Sequence, residues 1–178
     1  MISSVKNFLH NRDAVGAVEF ALILPLMLIL WMGVVELIEL HLSGRKATVA
    51  AQTAADLIAQ EKSITSGQLD DIVAAVKEVM KPYPSSSMGF DFASVEADLN
   101  GNVSIGWRHA VGTVEAETNI PARAIPLVTQ DDSVIAVKIT YTHETTFSLV
   151  EPLIDLVIPE ITEEAFARPR RTLKIPRN

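Results

Sequence analysis

The chain has 178 residues, of which 48% are hydrophobic and 21% charged, with a formal net charge of −7 and no cysteine. This length accommodates one folded domain beside extra segments, but not two ordinary domains beside a membrane anchor. The acidic balance argues against a nucleic-acid partner, which requires a basic face, and the lack of cysteine excludes disulfides, thiolate metal sites and cysteine nucleophiles.

The first element is a long apolar run near the N-terminus. No charged side chain interrupts the sequence from Phe20 to Val35. Small or apolar residues extend the run over residues 15–42, apart from three glutamates and one histidine: Glu19, Glu36, Glu39 and His41. About 20 helical residues cross a hydrocarbon core, so residues 15–42 predict a transmembrane helix.

The residues before the run indicate its direction in the membrane. They carry Lys6 and Arg12 against Asp13, which favours a cytoplasmic N-terminus and an exported C-terminal part. A secretory signal peptide also has a basic leader and an apolar run. This run is longer than that of a signal peptide, and no clear small-x-small cleavage site follows it.

The stretch GRKATVAAQTAADLIAQEK continues the helical pattern beyond Leu42. Its apolar residues recur at three- and four-residue spacing and form one stripe. A single helix from Val15 to Gln60 would be on the order of 65 to 70 Å long. We expect residues 43–62 to extend the membrane helix and to pack against an exported head.

The head is predicted over residues 63–160 as an α+β domain. SGQLDDIVAAVKEVM reads as a helix with Ser66 as N-cap. Asn100-Gly101 lies between two alternating runs and predicts a hairpin with a type I′ turn. SVIAVKITYTHETTF predicts a long strand with Ile135 and Tyr141 on one face. Helices packed on a small antiparallel sheet follow from these elements.

Two C-terminal segments complete the sequence. FSLVEPLIDLVIP is apolar but too short for a second span, so we expect it to cover the core, with docking on another surface as the alternative. Residues 161–178 carry a cluster of basic side chains. We interpret them as a solvated basic tail, with docking on a partner or on anionic lipid as the alternative.

The sequence contains no recognisable catalytic or metal-binding motif. The histidines His10, His41, His109 and His143 lack metal-ligand spacing, and we place His109 and His143 in strands. Nucleophile-elbow, phosphate-loop and dinucleotide fingerprints do not occur. The sequence therefore predicts no catalytic residue, no metal and no cofactor.

The stretch RDAVGAVEFALILPLMLILWMGVVEL resembles the N-terminal signature of the TadE-like proteins, pseudopilins or minor pilins of the tight-adherence (Flp) type IVb pilus. The matching parts are a basic residue with small residues after it, the run Ala17-Val18-Glu19-Phe20-Ala21, Pro25 within the apolar run, and Gly33-x-x-Glu36. A weaker likeness extends through the alanine-rich helix and to TYTHETTFSLVEPL. The resemblance implies a long N-terminal helix that continues into a small pilin-like head.

The resemblance also implies a processing site. In that family a prepilin peptidase removes a short basic leader, and the glutamate becomes the fifth residue of the mature chain. Counting back from Glu19 puts the cut between Ala14 and Val15, with residues 1–14 as leader. The family usually has glycine before the cut, and a cut between Gly16 and Ala17 would leave Glu19 as the third residue.

In this picture Glu19 has an assembly role. A carboxylate in hydrocarbon costs several kcal/mol unless it is paired. By hypothesis, the α-amine freed at Val15 pairs with Glu19 beside Phe20, within one chain or on a neighbouring subunit. Residues four apart share a helix face, and an anion suits the first turn of a helix. The alternative is that Glu19 lies at the headgroup level and faces water.

The other membrane residues are interpreted from general membrane rules. Glu36 and Glu39 would snorkel at the membrane surface, with contact to a partner helix as the alternative. Pro25 is tolerated in a membrane helix with a kink, and Gly33 permits close helix approach.

The resemblance implies a non-catalytic pilus-assembly component. Its partners would be the membrane, the major pilin and other minor pilins, the prepilin peptidase and the inner-membrane assembly platform. It would cross the bacterial inner membrane once, with a periplasmic head, and could then enter the extracellular pilus. Two alternatives come from other classes: an unprocessed membrane-anchored binding or sensing domain, and a periplasmic hydrolase with perturbed titratable groups in a pocket.

Overall fold

The computed structural model describes residues 12–152 and 160–178, with side chains from Val15 onward. Most of the predicted leader and the end of FSLVEPLIDLVIP therefore lie outside the described residues. The chain forms two compact units. The N-terminal unit contains Met1–Glu39 and Thr145–Val157, and the head unit contains Leu40–Glu144 and Ile158–Asn178.

Helix α1 spans Arg12–Ala59 without interruption, which confirms the predicted continuity of the apolar and alanine-rich runs. Pro25 lies inside the helix. Gly44 does not end it, and the Thr48 hydroxyl donates to the Gly44 carbonyl at 3.1 Å. The alanine-rich part packs with the head unit through Ala47, Ala50 and Ala54, all of which are buried.

Helix α2 spans Ser66–Met80, and the residue before it, Thr65, is its N-cap. The predicted N-cap Ser66 is wrong, because Thr65 occupies the cap position. The Gln68 amide donates to the Thr65 hydroxyl oxygen at 3.3 Å, and the Thr65 amide donates to the Gln68 side-chain oxygen at 2.9 Å. This reciprocal capping box satisfies two amides that the first helical turn leaves unpaired.

In the part of the chain that the structure describes, four strands form one sheet: β1 Met88–Ala97, β2 Val103–Gly112, β3 Ser133–Tyr141 and β4 Ile161–Ala167. The spatial order is β2-β1-β3-β4, and all neighbouring strands are antiparallel. A short 3₁₀ helix, Ile125–Leu127, lies between β2 and β3. The predicted α+β fold class is confirmed. Strand β3 ends at Tyr141, so the prediction that His143 lies in a strand is wrong, and His143 is buried after the strand end.

The main core of the head unit lies on one face of this sheet. Phe90 pairs with Ile139 and Phe92 pairs with Val137 across β1 and β3, so their side chains share that face. The end of α1 and the buried positions of α2 pack in the same cluster: Ala47, Ala50, Ala51, Ala54, Ala55, Ile58, Leu69, Val73, Val76 and Met80. Small alanines allow the backbone of α1 to approach its neighbours closely.

The hairpin between β1 and β2 forms at the predicted position but with a different turn. Gly101 has φ +84°, whereas Asn100 does not adopt positive φ, as a type I′ turn requires. The Gly101 amide donates to the Asp98 carbonyl at 3.0 Å, and the Asp98 amide donates to the Asn102 carbonyl at 3.0 Å. The connection is therefore a turn followed by a left-handed glycine, the common three-residue hairpin loop.

The C-terminal residues do not form a solvated tail. β4 pairs with β3 from Ile161 to Ala167, and Ile175 is 0% exposed. The Trp107 Nε1–H donates to the Ile175 carbonyl at 2.7 Å, and Arg170 pairs with Asp56 at 2.8 Å. The basic side chains thus dock on the chain's own acidic head, because apolar Ile175 and strand pairing hold the backbone there.

Candidate functional site

The membrane-spanning candidate is the apolar part of α1. Among the residues that the structure describes, one helix, Val15–Ala59, is long and apolar enough to cross a membrane. Large apolar side chains on all sides of its first part are exposed: Val15, Val18, Phe20, Leu22, Ile23, Leu24, Leu26, Met27, Leu28, Ile29, Leu30, Trp31, Val34, Leu37 and Ile38. A helix that is apolar all round requires an apolar surrounding, and a bilayer provides one.

The predicted processing and pairing residues lie at the beginning of α1. The bonds after Ala14 and after Gly16 are both inside the helix. Val15, Glu19 and Phe20 are exposed, with Val15 and Glu19 one helical turn apart. In the uncut chain the Val15 nitrogen belongs to a peptide bond, so its predicted pairing with Glu19 stays a prediction.

Pro25 and Gly33 lie farther along the same helix. Because proline has no N–H, Pro25 leaves the Ala21 carbonyl without its intrahelical donor. Apart from the backbone of its own helical turns, a Cβ added at Gly33 would meet no atom of the described residues within 4 Å. The helix surface at Gly33 is therefore open to a neighbouring backbone, and the predicted packing roles of Pro25 and Gly33 stay predictions.

Glu36 does not snorkel to water as predicted. It is 0% exposed, and the Thr146 amide donates to both carboxylate oxygens at 3.2 Å. The Thr146 hydroxyl also donates to Glu39 at 2.8 Å. Two glutamates at the polar end of the apolar run therefore hold one residue of a distant loop, all within the N-terminal unit.

The same loop makes an aromatic contact with Trp31, which lies farther into the apolar run of α1 than Glu36 does. The ring centroids of Trp31 and Phe147 lie 6.0 Å apart with an interplanar angle of 56°, a tilted arrangement that is favourable for aromatic pairs. Reasoning from the sequence missed Trp31, Thr146 and Phe147. The partners are 110 positions apart in the Glu36–Thr146 contact, and no local pattern signals such a pair.

In the head unit, a charged cluster lies on the sheet face opposite the main core. Arg108 of β2 donates through Nε to Asp91 of β1 at 2.7 Å, and a second bond from Nη2 makes the pair bidentate. Arg108 also donates to the Asn119 carbonyl at 2.8 Å. Lys138 of β3 pairs with Glu117 at 2.6 Å. These contacts fasten the segment around residues 117–119 to the sheet.

The electrostatics of this cluster follow from its pairing. The hydrogen bond from Lys138 lowers the pKa of Glu117, and the same bond raises the pKa of Lys138. The hydrogen bonds to Asp91 raise the pKa of Arg108. Each shift favours the charged form of a paired group, as expected for a structural ion-pair network.

A cavity in the head unit adjoins this cluster. This cavity of about 140 Å³ is lined by Asp91, Arg108 and Lys138 beside apolar Ile120 and Pro121. This volume is smaller than that of typical ligand pockets, about 300 to 1,000 Å³. Among the described residues no group of three or more His, Asp or Glu side chains could hold a metal. We therefore interpret the cluster as one that stabilises the segment around residues 117–119, and ion pairing within the cluster explains its shifted pKa values.

The fold and the site together define a class: a protein with a candidate membrane span that continues into an α+β head. A comparison with family models then narrows this class. Residues 14–56 match the model of the TadE-like protein family, which confirms the predicted resemblance and covers most of α1. A TadE-like domain implies a protein associated with Tad pili. Comparisons with curated proteins and with solved structures give no significant match.

Proposed function

We propose that this protein is a non-catalytic assembly component, a minor pilin or pseudopilin, of a tight-adherence type IVb pilus. The observation that carries the proposal is the overlap of two features. The TadE-like match covers residues 14–56, and the same stretch contains the helix surface that exposes large apolar side chains on all sides. Such a helix can be stored in a bilayer and then packed among other helices.

The proposed topology follows from charge and hydropathy. Residues 1–14 are the cytoplasmic leader, residues 15–42 cross the inner membrane, and the head unit from Ser43 onward lies in the periplasm. Basic residues before an apolar span favour a cytoplasmic N-terminus. A prepilin peptidase cuts after Ala14, or after Gly16, and the mature chain then enters the pilus or primes its assembly.

In this function Glu19 provides specificity in assembly. When an apolar helix moves from lipid into a protein bundle, little hydrophobic free energy is gained, because lipid tails are as apolar as leucine. Close packing and polar pairing must then select the partner. Glu19 is exposed on the helix surface, and the open surface at Gly33 supports a close approach of a major-pilin or minor-pilin helix.

The first experiment is N-terminal sequencing of the full chain from cells with and without their own prepilin peptidase. A peptidase-dependent chain that begins at Val15 supports the proposal with Glu19 as the fifth residue. A start at Ala17 supports the class and contradicts the Val15–Glu19 pairing. An uncut chain in both strains contradicts the proposal and leaves an anchored periplasmic domain.

A second experiment tests the role of Glu19 after processing. Glu19→Ala should be cut and remain in the membrane fraction, but should be lost from sheared pili or from complexes with the other pilins. Glu78→Ala, which removes an exposed carboxylate from α2, is the matched control and should assemble normally. Equal recovery of both variants would contradict the proposed pairing.

A further inference from the structure

We infer that the turn at residues 147–150 is a second membrane contact, which inserts Phe147 and Leu149 into the lipid interface beside α1, and that Glu36 holds it there. This inference depends on α1 lying in a bilayer and not on the pilus assignment. The occupant we assign to the exposed side of the turn is lipid. A second copy of the chain is the competing occupant.

The loop contacts α1 at a depth inside the uncharged apolar run. Trp31 precedes Glu36 by five residues, about 7.5 Å along a helix axis, and lies on the side of the uncharged run. Phe147 contacts the Trp31 ring, while Thr146 is bonded at Glu36 and Glu39. From Thr146 to Phe147 the loop therefore runs from the polar end of the span toward its apolar part.

The turn also exposes an apolar surface. The Val150 amide donates to the Phe147 carbonyl at 3.0 Å, which closes the turn and directs its middle outward. Leu149, in that middle, is 63% exposed, and Phe147 is only half-buried. Tryptophan and phenylalanine beside an exposed leucine form an apolar patch continuous with the lipid-facing surface of α1, as at the aromatic belts of membrane proteins.

The backbone N–H and the hydroxyl of Thr146 both have acceptors on α1. A backbone N–H that enters a lipid interface without a partner costs free energy comparable to a lost hydrogen bond. Glu36 accepts the Thr146 N–H with both oxygens, and Glu39 accepts its hydroxyl. Because both donors of Thr146 are already hydrogen-bonded to these carboxylates, they add no free-energy cost when the turn enters the lipid interface. Glu36 therefore acts as a positioning residue for the loop.

The test uses the full chain in vesicles of phosphatidylethanolamine and phosphatidylglycerol. Because the chain has no cysteine, a single cysteine at one position carries a nitroxide label without background. Leu149→Cys reports the turn, Leu22→Cys reports the span, and Leu99→Cys reports a water-exposed hairpin loop of the head, where Leu99 is 75% exposed. Molecular oxygen, which concentrates in lipid, and a water-soluble nickel chelate then compete as relaxing agents.

We expect the Leu149 label to prefer oxygen over nickel, as the Leu22 label does, and the Leu99 label to prefer nickel. If the Leu149 label prefers nickel while the Leu22 label prefers oxygen, the inference about the turn is overturned, but the assignment of α1 to the membrane is not. Shielding of the Leu149 label from both agents would mean that protein covers the turn, and would equally overturn the assignment to lipid.

The role of Glu36 is tested in the same labelled chain. Glu36→Leu removes the acceptor and should abolish the oxygen preference at Leu149, whereas Glu36→Gln keeps an acceptor oxygen and should retain it. Leu37→Val, at an exposed neighbouring position, is the matched control. If Glu36→Leu behaves like Leu37→Val, Glu36 does not hold the turn.

Discussion

Replacing Arg108 with methionine should destabilise the head unit strongly. The Asp91 side chain is 1% exposed and the Arg108 side chain 10% exposed, so the variant leaves a carboxylate buried in the sheet without its bidentate partner. Removing one member of a buried ion pair costs about 3 to 5 kcal/mol. With an m-value of about 2 kcal/mol/M, the urea midpoint should fall by roughly 1.5 to 2.5 M.

The assay is urea unfolding of the full chain in lipid nanodiscs, followed by tryptophan fluorescence. Trp31→Phe provides a background in which Trp107, in strand β2 of the head unit, is the reporter. The matched control is Glu78→Gln, which breaks the Glu78–Lys81 pair, whose side chains are both 67% exposed. Exposed pairs contribute within about 1 kcal/mol, so this control should shift the midpoint little.

A double variant distinguishes loss of pairing from loss of packing. Replacing both partners with apolar residues, Asp91→Leu with Arg108→Met, also removes the buried carboxylate that Arg108→Met leaves unpaired. The double variant should therefore recover much of the stability lost in Arg108→Met alone. The reasoning is refuted if Arg108→Met costs no more than Glu78→Gln. It is also refuted if the double variant is no more stable than the single one.

Three further predictions concern the head unit. Ile175→Ala should lower the free energy of unfolding by about 2 to 5 kcal/mol, because Ile175 is 0% exposed. Leu173 is exposed, so Leu173→Ala should change the free energy of unfolding by less than about 0.5 kcal/mol. Equal effects of the two variants in urea unfolding would contradict the docking of the C-terminal segment. Thr65→Ala should cost about 1 kcal/mol through loss of the cap, and more than Ser66→Ala in thermal unfolding; the reverse order would restore Ser66 as the cap. Burial raises the pKa of Tyr141 from 10.0 to about 12, so the stability that its neutral phenol provides is complete below about pH 10 and is lost as the pH rises toward 12. Tyr141→Phe should therefore reduce the fall in urea midpoint between about pH 9 and about pH 11, and an unchanged fall would contradict the assignment.

The elements with a strong local pattern were predictable from the sequence. Spacing of apolar residues predicted α1, α2 and β3 because a helix or strand repeats its buried positions at a fixed period. The one-residue error at the start of α2 had an available signal, since Thr65 and Gln68 have the capping-box spacing. The hairpin turn was misassigned because Asn-Gly fits both a two-residue loop and a three-residue loop.

The C-terminal segment shows where local reasoning fails. Its basic residues predicted solvation, but Lys174 pairs with Asp131 at 2.9 Å and Arg168 with Asp132 at 3.3 Å, and both acids lie far away in sequence. ITEEAFA has no regular alternation of apolar and polar residues, so β4 had little local signal. The Asp91–Arg108 and Glu36–Thr146 contacts had no such signal, because they depend on how separate elements meet.

The alanine-rich part of α1 limits what the helix can offer to other subunits. Ala47, Ala50, Ala54 and Ile58 are all buried in the core of the head unit. Moving this stretch away from the sheet would expose much of the main core to water, at a free-energy cost of about 25 cal/mol for each Å² of apolar surface exposed. The end of α1 therefore stays with the head unit. In the proposed assembly, only the first part of the helix, before Ser43, is then available for exchange between lipid and partner helices. If that proposal holds, we expect specificity to come from the few polar or open positions of that part, Glu19 and Gly33 above all.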